Sequence, residues 1–233
     1  MFKKNKKAQE ERTKVVRFGN NLDFASTEAY KLLRTNLSFS LPDKEGGKII
    51  GITSPCPQDG KSTTSLNLSY ALAETGHSVL LIDADMRRPS IAKTLELPAA
   101  PGLSNILVDS KENAFHEKVM HEKLTVLLSG DIPPNPSELI TSAKMQNLLS
   151  ELAAKYDYVI VDLPPVNAVS DPIAVSKYID GMIIVVRHGF SRRKDVVEAI
   201  RQLKMVNAKI FGFVYNGIYK GKKYRAYKFF VNH

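Results

Sequence analysis

Ile49-Ile50-Gly51-Ile52-Thr53-Ser54-Pro55-Cys56-Pro57-Gln58-Asp59-Gly60-Lys61-Ser62-Thr63-Thr64 runs from an apolar stretch, through a loop rich in proline and glycine, into residues with helical spacing. The run Ile49–Thr53 is short, β-branched and bounded by turn residues, which reads as a buried strand. The segment Thr63–Thr75, closed by Gly76, reads as a helix. A loop between the two that ends in Gly-Lys-Ser offers backbone N–H groups and a helix N-terminus to phosphate oxygens. Lys61 then suits the β- and γ-phosphates, and the Ser62 hydroxyl suits Mg²⁺. Asp59, Gly60, Lys61, Ser62 and Thr63 are therefore the candidate nucleotide-binding residues, with ATP and Mg²⁺ as the implied ligands. Pro55, five residues before Gly60, stands where such loops ordinarily carry Gly, Ala or Ser; it has no N–H and a fixed φ.

Working outward, five more short apolar runs read as strands: Val79–Asp83, Leu124–Leu128, Tyr158–Asp162, Met182–Arg187 and Ile210–Val214. Helical spacing predicts helices over Ser137–Lys155 and Arg192–Val206, and another, Thr27–Phe39, before the first strand. Near-continuous apolar strands alternating with helices predict an α/β fold of the P-loop NTPase kind, a mainly parallel central sheet with helices on both faces. Its ligand belongs beyond the carboxyl ends of the strands. The expected organisation is a basic arm over 1–26, one domain over 27–216 and a basic tail over 217–233.

Two of these strands end in acids. Val79-Leu80-Leu81-Ile82-Asp83-Ala84-Asp85 carries carboxylates at i and i+2, which point to one side of an extended chain. Tyr158-Val159-Ile160-Val161-Asp162 carries a third. An acid at a strand end is often only a helix cap. Three of them converging on a phosphate loop suit Mg²⁺, held directly or through water, with one left to accept a hydroxyl proton.

The chain has 233 residues, 43% of them apolar, enough for one sizeable core. Its net charge of +9 is concentrated at the ends: residues 1–17 and 217–233 carry +5 each, which leaves 18–216 near neutral. A nucleic-acid binder usually carries its charge as a patch on the folded body, so no nucleic-acid partner is expected. The tails fit an anionic membrane surface or an acidic partner segment, and equally fit simple solubilising ends. No stretch approaches the roughly 18 apolar residues that span a bilayer, and the start lacks a secretory segment, so a cytoplasmic location is expected. The single cysteine, Cys56, allows no intramolecular disulfide. It reads either as a redox switch beside the phosphates or as a small residue filling a tight loop.

Beyond Gly60-Lys61-Ser62, four features resemble the deviant-Walker P-loop ATPases, and within them the bacterial tyrosine kinases of capsule and exopolysaccharide synthesis, Gram-positive cytoplasmic type. Asp83-Ala84-Asp85-Met86-Arg87-Arg88-Pro89 is similar to that family's second acidic motif. Ser129-Gly130-Asp131-Ile132-Pro133-Pro134-Asn135-Pro136-Ser137-Glu138-Leu139 is similar to a long signature that nucleotide binding alone does not explain. Glu28, Lys31 and Arg34 resemble the family's oligomerisation helix, E-x-x-R-x-x-R, with Lys31 in place of the first Arg. Tyr215, Tyr219, Tyr224 and Tyr227 put four of the nine tyrosines among basic residues at the C-terminus, where the family carries an autophosphorylated cluster. The likeness runs from about Glu28 to the C-terminus.

The resemblance implies an ATP-dependent protein-tyrosine kinase that phosphorylates its own tail, at Tyr219, Tyr224 and Tyr227, and other proteins. By it, Ser62, Asp83, Asp85 and Asp162 serve Mg²⁺, and Asp83 is the base for the attacking tyrosine. Arg87 or Arg88 either stabilises developing phosphate charge or pairs with an acid. Asn216 either contacts adenine or ends a strand in an ordinary turn with Gly217. Implied partners are a transmembrane activator (the cytoplasmic tail of a polysaccharide co-polymerase), protein-tyrosine substrates, a cognate phosphotyrosine phosphatase and further copies of the chain in a ring. The activator would recruit the kinase to the inner face of the membrane. Residues 217–233, extended at about 3.3 Å each, would reach on the order of 55 Å, enough to enter a neighbouring subunit. A positioning or partition ATPase is the main alternative, and a nucleotide-gated scaffold is another. The partition ATPases carry a signature lysine at the position held here by Cys56, which favours the kinase.

Overall fold

A computed structural model describes residues 18–109 and 114–217. Residues 1–17 of the basic arm expected over 1–26, and the tail with Tyr219, Tyr224 and Tyr227, lie outside the described residues. Seven strands form one sheet: β1 (Lys48–Thr53), β2 (Val79–Asp83), β3 (Phe115–His116), β4 (Leu124–Leu127), β5 (Tyr158–Asp162), β6 (Gly181–Arg187) and β7 (Ile210–Asn216). Their order is β3-β4-β2-β5-β1-β6-β7, and every pair is parallel except β3 with β4. The six expected strands are all present. β3, two residues long, is too short to leave a periodic trace.

Strand residues alternate between two apolar layers. Ile50, Ile52, Leu81, Ile160 and Val185 face a layer with Leu37, Leu66 and Leu72, supplied by α1 (Phe24–Ser40) and α2 (Lys61–Ala73). Leu80, Ile82, Val159, Val161 and Ile184 face the other. Helices on that side are α4 (Leu103–Asp109), α5 (Pro136–Thr141), α6 (Ala143–Lys155), α7 (Asp171–Val175) and α8 (Arg193–Met205); the short α3 (Ile91–Leu95) joins the first layer. Burial on both faces explains why the strands read as unbroken apolar runs. Among the described residues no helix is long and apolar enough to cross a membrane.

Two boundaries differ from expectation for local reasons. α1 begins at Phe24, three residues before Thr27, because the Asp23 carboxylate accepts from the Ser26 N–H and caps it. The single helix expected over Ser137–Lys155 is two helices, broken at Ser142, whose φ/ψ of −66/155 is extended. The Ser142 hydroxyl donates to the Leu139 carbonyl and accepts from the Met145 N–H, ending α5 and starting α6 in one residue.

The linker before β1 is held equally tightly. The Gly47 N–H donates to the Ala153 carbonyl, and a Cβ at Gly47 would lie 1.9 Å from the Tyr156 carbonyl oxygen. Gly47→Ala is therefore expected to destabilise the fold by about 1–3 kcal/mol, read as a lowered urea midpoint at unchanged slope.

Candidate active site

The three central strands β2, β5 and β1 lie side by side and deliver their carboxyl ends to one place. Asp83 of β2 is in register with Asp162 of β5, and Asp162 with Ile52 of β1, the last strand residue but one before the loop. That register brings the acids and the loop together, as expected from the strand-end acids. The loop 54–60 is shaped by residues of unusual conformation: Gln58 has φ 68, and Gly60, the N-cap of α2, has φ 96. α2 starts at Lys61, and its first intrahelical acceptor, the Gly60 carbonyl, is taken by the Thr64 N–H. The N–H groups of Lys61, Ser62 and Thr63 thus have no helical partner, as at any helix start.

Lys61 is the charge centre. Its ammonium lies 2.9 Å from Asp85 Oδ2 and 3.4 Å from Asp162 Oδ2, in a largely buried setting. Burial alone would lower the Lys61 pKa; the carboxylates of Asp162 and Asp85 more than reverse this and hold it above its usual value. Asp162, fully buried, accepts from Ser62 Oγ at 2.6 Å and from Ser65 Oγ at 2.9 Å. Desolvation raises its pKa in spite of these donors and of Lys61. Asp83 is also fully buried; its oxygens accept from the N–H groups of Asp85 and Ile91. Burial, with Asp162 alongside and Lys61 opposing, pushes the Asp83 carboxyl up to about 7.

A cleft of about 700 Å³ opens over this centre, lined by Gly60, Lys61, Ser62, Thr63, Asp85 and Arg88 among others. Arg87 also lines it, but its guanidinium is committed: Nε donates to Asp171 Oδ2 at 3.0 Å and a terminal nitrogen to Ser137 Oγ at 2.7 Å. Ser137 Oγ in turn donates to Asp171 Oδ1 at 2.7 Å. Of the two roles open for Arg87, the structure has the acid pairing. Ser137 and Asp171 escaped the sequence reading; the signal was present, since Ser137 belongs to the unexplained signature. Gly130 of that signature packs on Gly102, where a Cβ would meet the Gly130 nitrogen at 2.2 Å, and the Asp131 carboxylate accepts from Asn105. These contacts tie the start of the signature to residues 102–105, while Ser137, in α5, meets Arg87 directly.

Other expected residues fall elsewhere. Asp59 does not present its carboxylate to the cleft: it is fully buried and accepts from the Cys56 N–H at 3.0 Å and from Ser191 Oγ at 2.7 Å. Asn216, expected either at adenine or in a turn, does not line the cleft, and its amide donates to the Asp59 carbonyl at 3.0 Å. Asp83 is fully buried and does not line the cleft, and each of its oxygens accepts one backbone N–H. Burial raises the Cys56 pKa, with the Asp195 and Asp59 carboxylates adding to it. A thiol so held is a poor redox switch, which favours the small-residue reading. On α1, Glu28 pairs with Lys31 of the same helix, and Arg34 donates to the Ala71 carbonyl at 2.6 Å, near the end of α2. Tyr215 is half-exposed rather than core, its hydroxyl 2.6 Å from His188 Nδ1.

Among the described residues no group of three His, Cys, Asp or Glu is arranged to hold a metal by itself. The donors at the cleft are Ser62 Oγ and the Asp85 carboxylate, with Asp162 fully buried behind them and accepting from Ser62 Oγ; all are hard oxygens, few in number. That set suits Mg²⁺, which commonly takes one or two protein oxygens and completes its shell with water and substrate phosphates.

A phosphate loop with a buried lysine, free helix N–H groups and strand-end carboxylates, on a parallel sheet, defines a P-loop nucleotide-binding protein. Residues 47–210 match the family described as AAA domain. The tyrosine-protein kinase YwqD of Bacillus subtilis is 38% identical over 193 residues, covering 82% of this chain and 81% of that one. The tyrosine-protein kinase etk of Escherichia coli is 34% identical over 91% of this chain but only 30% of its own length. The crystal structure of the chimerical protein CapA2B2 superposes with a TM-score of 0.78 at 37% identity, over 83% of this chain and 85% of that one. The chain belongs to the bacterial tyrosine-protein kinases.

Lys61 is the cation that offsets the buried acids, so Lys61→Met leaves two carboxylates uncompensated. A loss of about 3–5 kcal/mol at pH 8 without nucleotide is expected. In that variant the acids titrate higher when folded than when unfolded, so the folded state binds the extra protons and stability recovers as pH falls from 8 towards 5. Urea melts across that range check it.

Proposed function

We propose that this chain transfers the γ-phosphoryl group of ATP to tyrosine hydroxyls, Tyr219, Tyr224 and Tyr227 of its own tail among them. Through this it regulates capsule or exopolysaccharide synthesis or export. The observation that carries the proposal is Lys61, held between Asp85 and Asp162 at the mouth of α2, in a chain that belongs to the tyrosine-protein kinases.

Gly60, Lys61, Ser62 and Thr63 bind the polyphosphate of ATP. The Lys61 ammonium stays charged at any working pH and draws the β- and γ-phosphates to the loop. Ser62, Asp85 and Asp162 would hold Mg²⁺, which when bound neutralises charge developing on the transferred group. Arg88, exposed on the cleft wall, supplies a further cation where Arg87 is committed to Asp171. Asp83 takes the phenolic proton as the tyrosine oxygen attacks phosphorus and ADP leaves. Each of its oxygens accepts one backbone N–H and keeps a second lone pair, and its proton affinity near neutrality suits a general base. The activator's cytoplasmic tail, a ring of copies assembled through α1 and a phosphotyrosine phosphatase complete the proposed system.

Purified protein incubated with ATP and Mg²⁺, with and without a fused activator tail, followed by mass spectrometry of the C-terminal peptides, tests this. Phosphate is expected on Tyr219, Tyr224 or Tyr227, and should be lost in Lys61→Arg, which keeps the charge but not the compact ammonium. ATP binding with no phosphotyrosine under either condition would sink the kinase reading in favour of a nucleotide switch. A second expectation concerns pH. Only the deprotonated Asp83 is a base, so the phosphotransfer rate should fall on the acid side as Asp83 becomes protonated. Asp83→Asn should be slow and flat over the same range.

A further inference from the structure

A phosphate loop works only if its N–H groups face the ligand, which requires its carbonyls to face away. Here four carbonyls of the loop, those of Cys56, Gln58, Asp59 and Gly60, are taken by side-chain donors. Ser54 Oγ donates to the Cys56 carbonyl at 2.7 Å, and Thr64 Oγ1 to the Gly60 carbonyl at 3.0 Å. The Gln58 and Asp59 carbonyls rely on residues distant in sequence: Arg187 donates to the Gln58 carbonyl at 3.0 Å, and Asn216 Nδ2 to the Asp59 carbonyl at 3.0 Å. The Asp59 side chain is gripped as well, by Ser191 Oγ at 2.7 Å. Arg187 ends β6, Ser191 lies in the turn that follows it, and Asn216 ends β7.

The loop needs this support. Gln58 is a non-glycine residue at φ 68, an unfavourable conformation that persists only where the surroundings hold it. Asn216 braces the next turn: a Cβ at Gly60 would lie 2.0 Å from Asn216 Nδ2, so the amide rests directly against the glycine backbone. Neither Asn216 nor Ser191 lines the cleft.

We infer that Arg187, Ser191 and Asn216 are positioning residues, a latch from the ends of β6 and β7 that turns the Gln58 and Asp59 carbonyls out of the cleft and so aims the loop's N–H groups at the polyphosphate. The inference rests on the proposal that the loop takes the polyphosphate of ATP, and it gives Asn216 a role different from adenine recognition. It also ties the root of the C-terminal tail, which begins just after Asn216, to the geometry of the phosphate site.

Calorimetric titration with tripolyphosphate, ATP and GTP, each with Mg²⁺, tests the latch without any need for phosphotransfer. Asn216→Leu and Ser191→Ala should each weaken tripolyphosphate and ATP by the same factor, on the order of tenfold for one lost hydrogen bond in a partly buried network. The ATP-to-GTP preference should not change, and Ser191→Thr, which keeps the hydroxyl, should restore affinity. Arg187→Met, on a partly buried side chain, is the variant to use if either of the others fails to fold. Tripolyphosphate affinity unchanged in the folded variants, or a loss confined to ATP, would overturn the latch; the second result would return Asn216 to the adenine. Wild-type protein that binds tripolyphosphate, with the expected losses in the variants, yet never phosphorylates tyrosine would support the latch while the kinase reading fails. Wild-type protein that binds no tripolyphosphate would overturn both.

Discussion

One buried ammonium shared between two carboxylates organises this molecule. Lys61 sits 2.9 Å from Asp85 and 3.4 Å from Asp162, with Asp83 in register beside Asp162. Three acids crowded at the ends of adjacent strands would repel one another and resist desolvation. A single cation at the start of α2 relieves that. The pKa directions follow from the same crowding: Lys61 held up by its acids, Asp162 and Asp83 raised because burial and mutual repulsion outweigh the cation. The site is thus poised to exchange protein charge for ligand charge. A polyphosphate offers Lys61 a second set of anions, and a cation offers the acids a second partner.

Around this centre the sheet acts as a ruler. Parallel pairing of β2, β5 and β1 sets the strand ends level, which puts the loop and the acids on one edge of the sheet. The flanking helices then fix what a sheet cannot, the direction in which each group points. Arg87 is held by Asp171 and Ser137, and Ser137 donates in turn to Asp171. On the opposite side of the loop, Arg187, Ser191 and Asn216 grip the backbone and the Asp59 carboxylate. The charge centre is therefore supported from both sides by hydrogen bonds between segments far apart in the chain.

Much of this was legible beforehand because the signals were local. A strand buried on both faces must be apolar throughout, so six strands announced themselves, and a loop ending in Gly60-Lys61-Ser62 before a helix names its own chemistry. The boundary errors were equally local in origin: Asp23 caps α1 early, and Ser142 serves as C-cap and N-cap at once, a double use that helical spacing does not reveal. What residue identity leaves open is orientation. Asp59 belongs to the phosphate loop and Asn216 adjoins it, yet the side chains of both are turned away from the cleft.

By itself the sequence determined the fold class, the phosphate loop and the three acids, because each depends on residue type and spacing over a few consecutive positions. Only the tertiary structure decided which acid lines the cleft, which arginine is free and which side chains hold the loop. Those outcomes depend on contacts such as Arg87 with Asp171, 84 residues away, and Asn216 with Asp59, 157 residues away. No local pattern encodes such a contact; it exists only after strand register and helix packing have brought the two segments within hydrogen-bond reach.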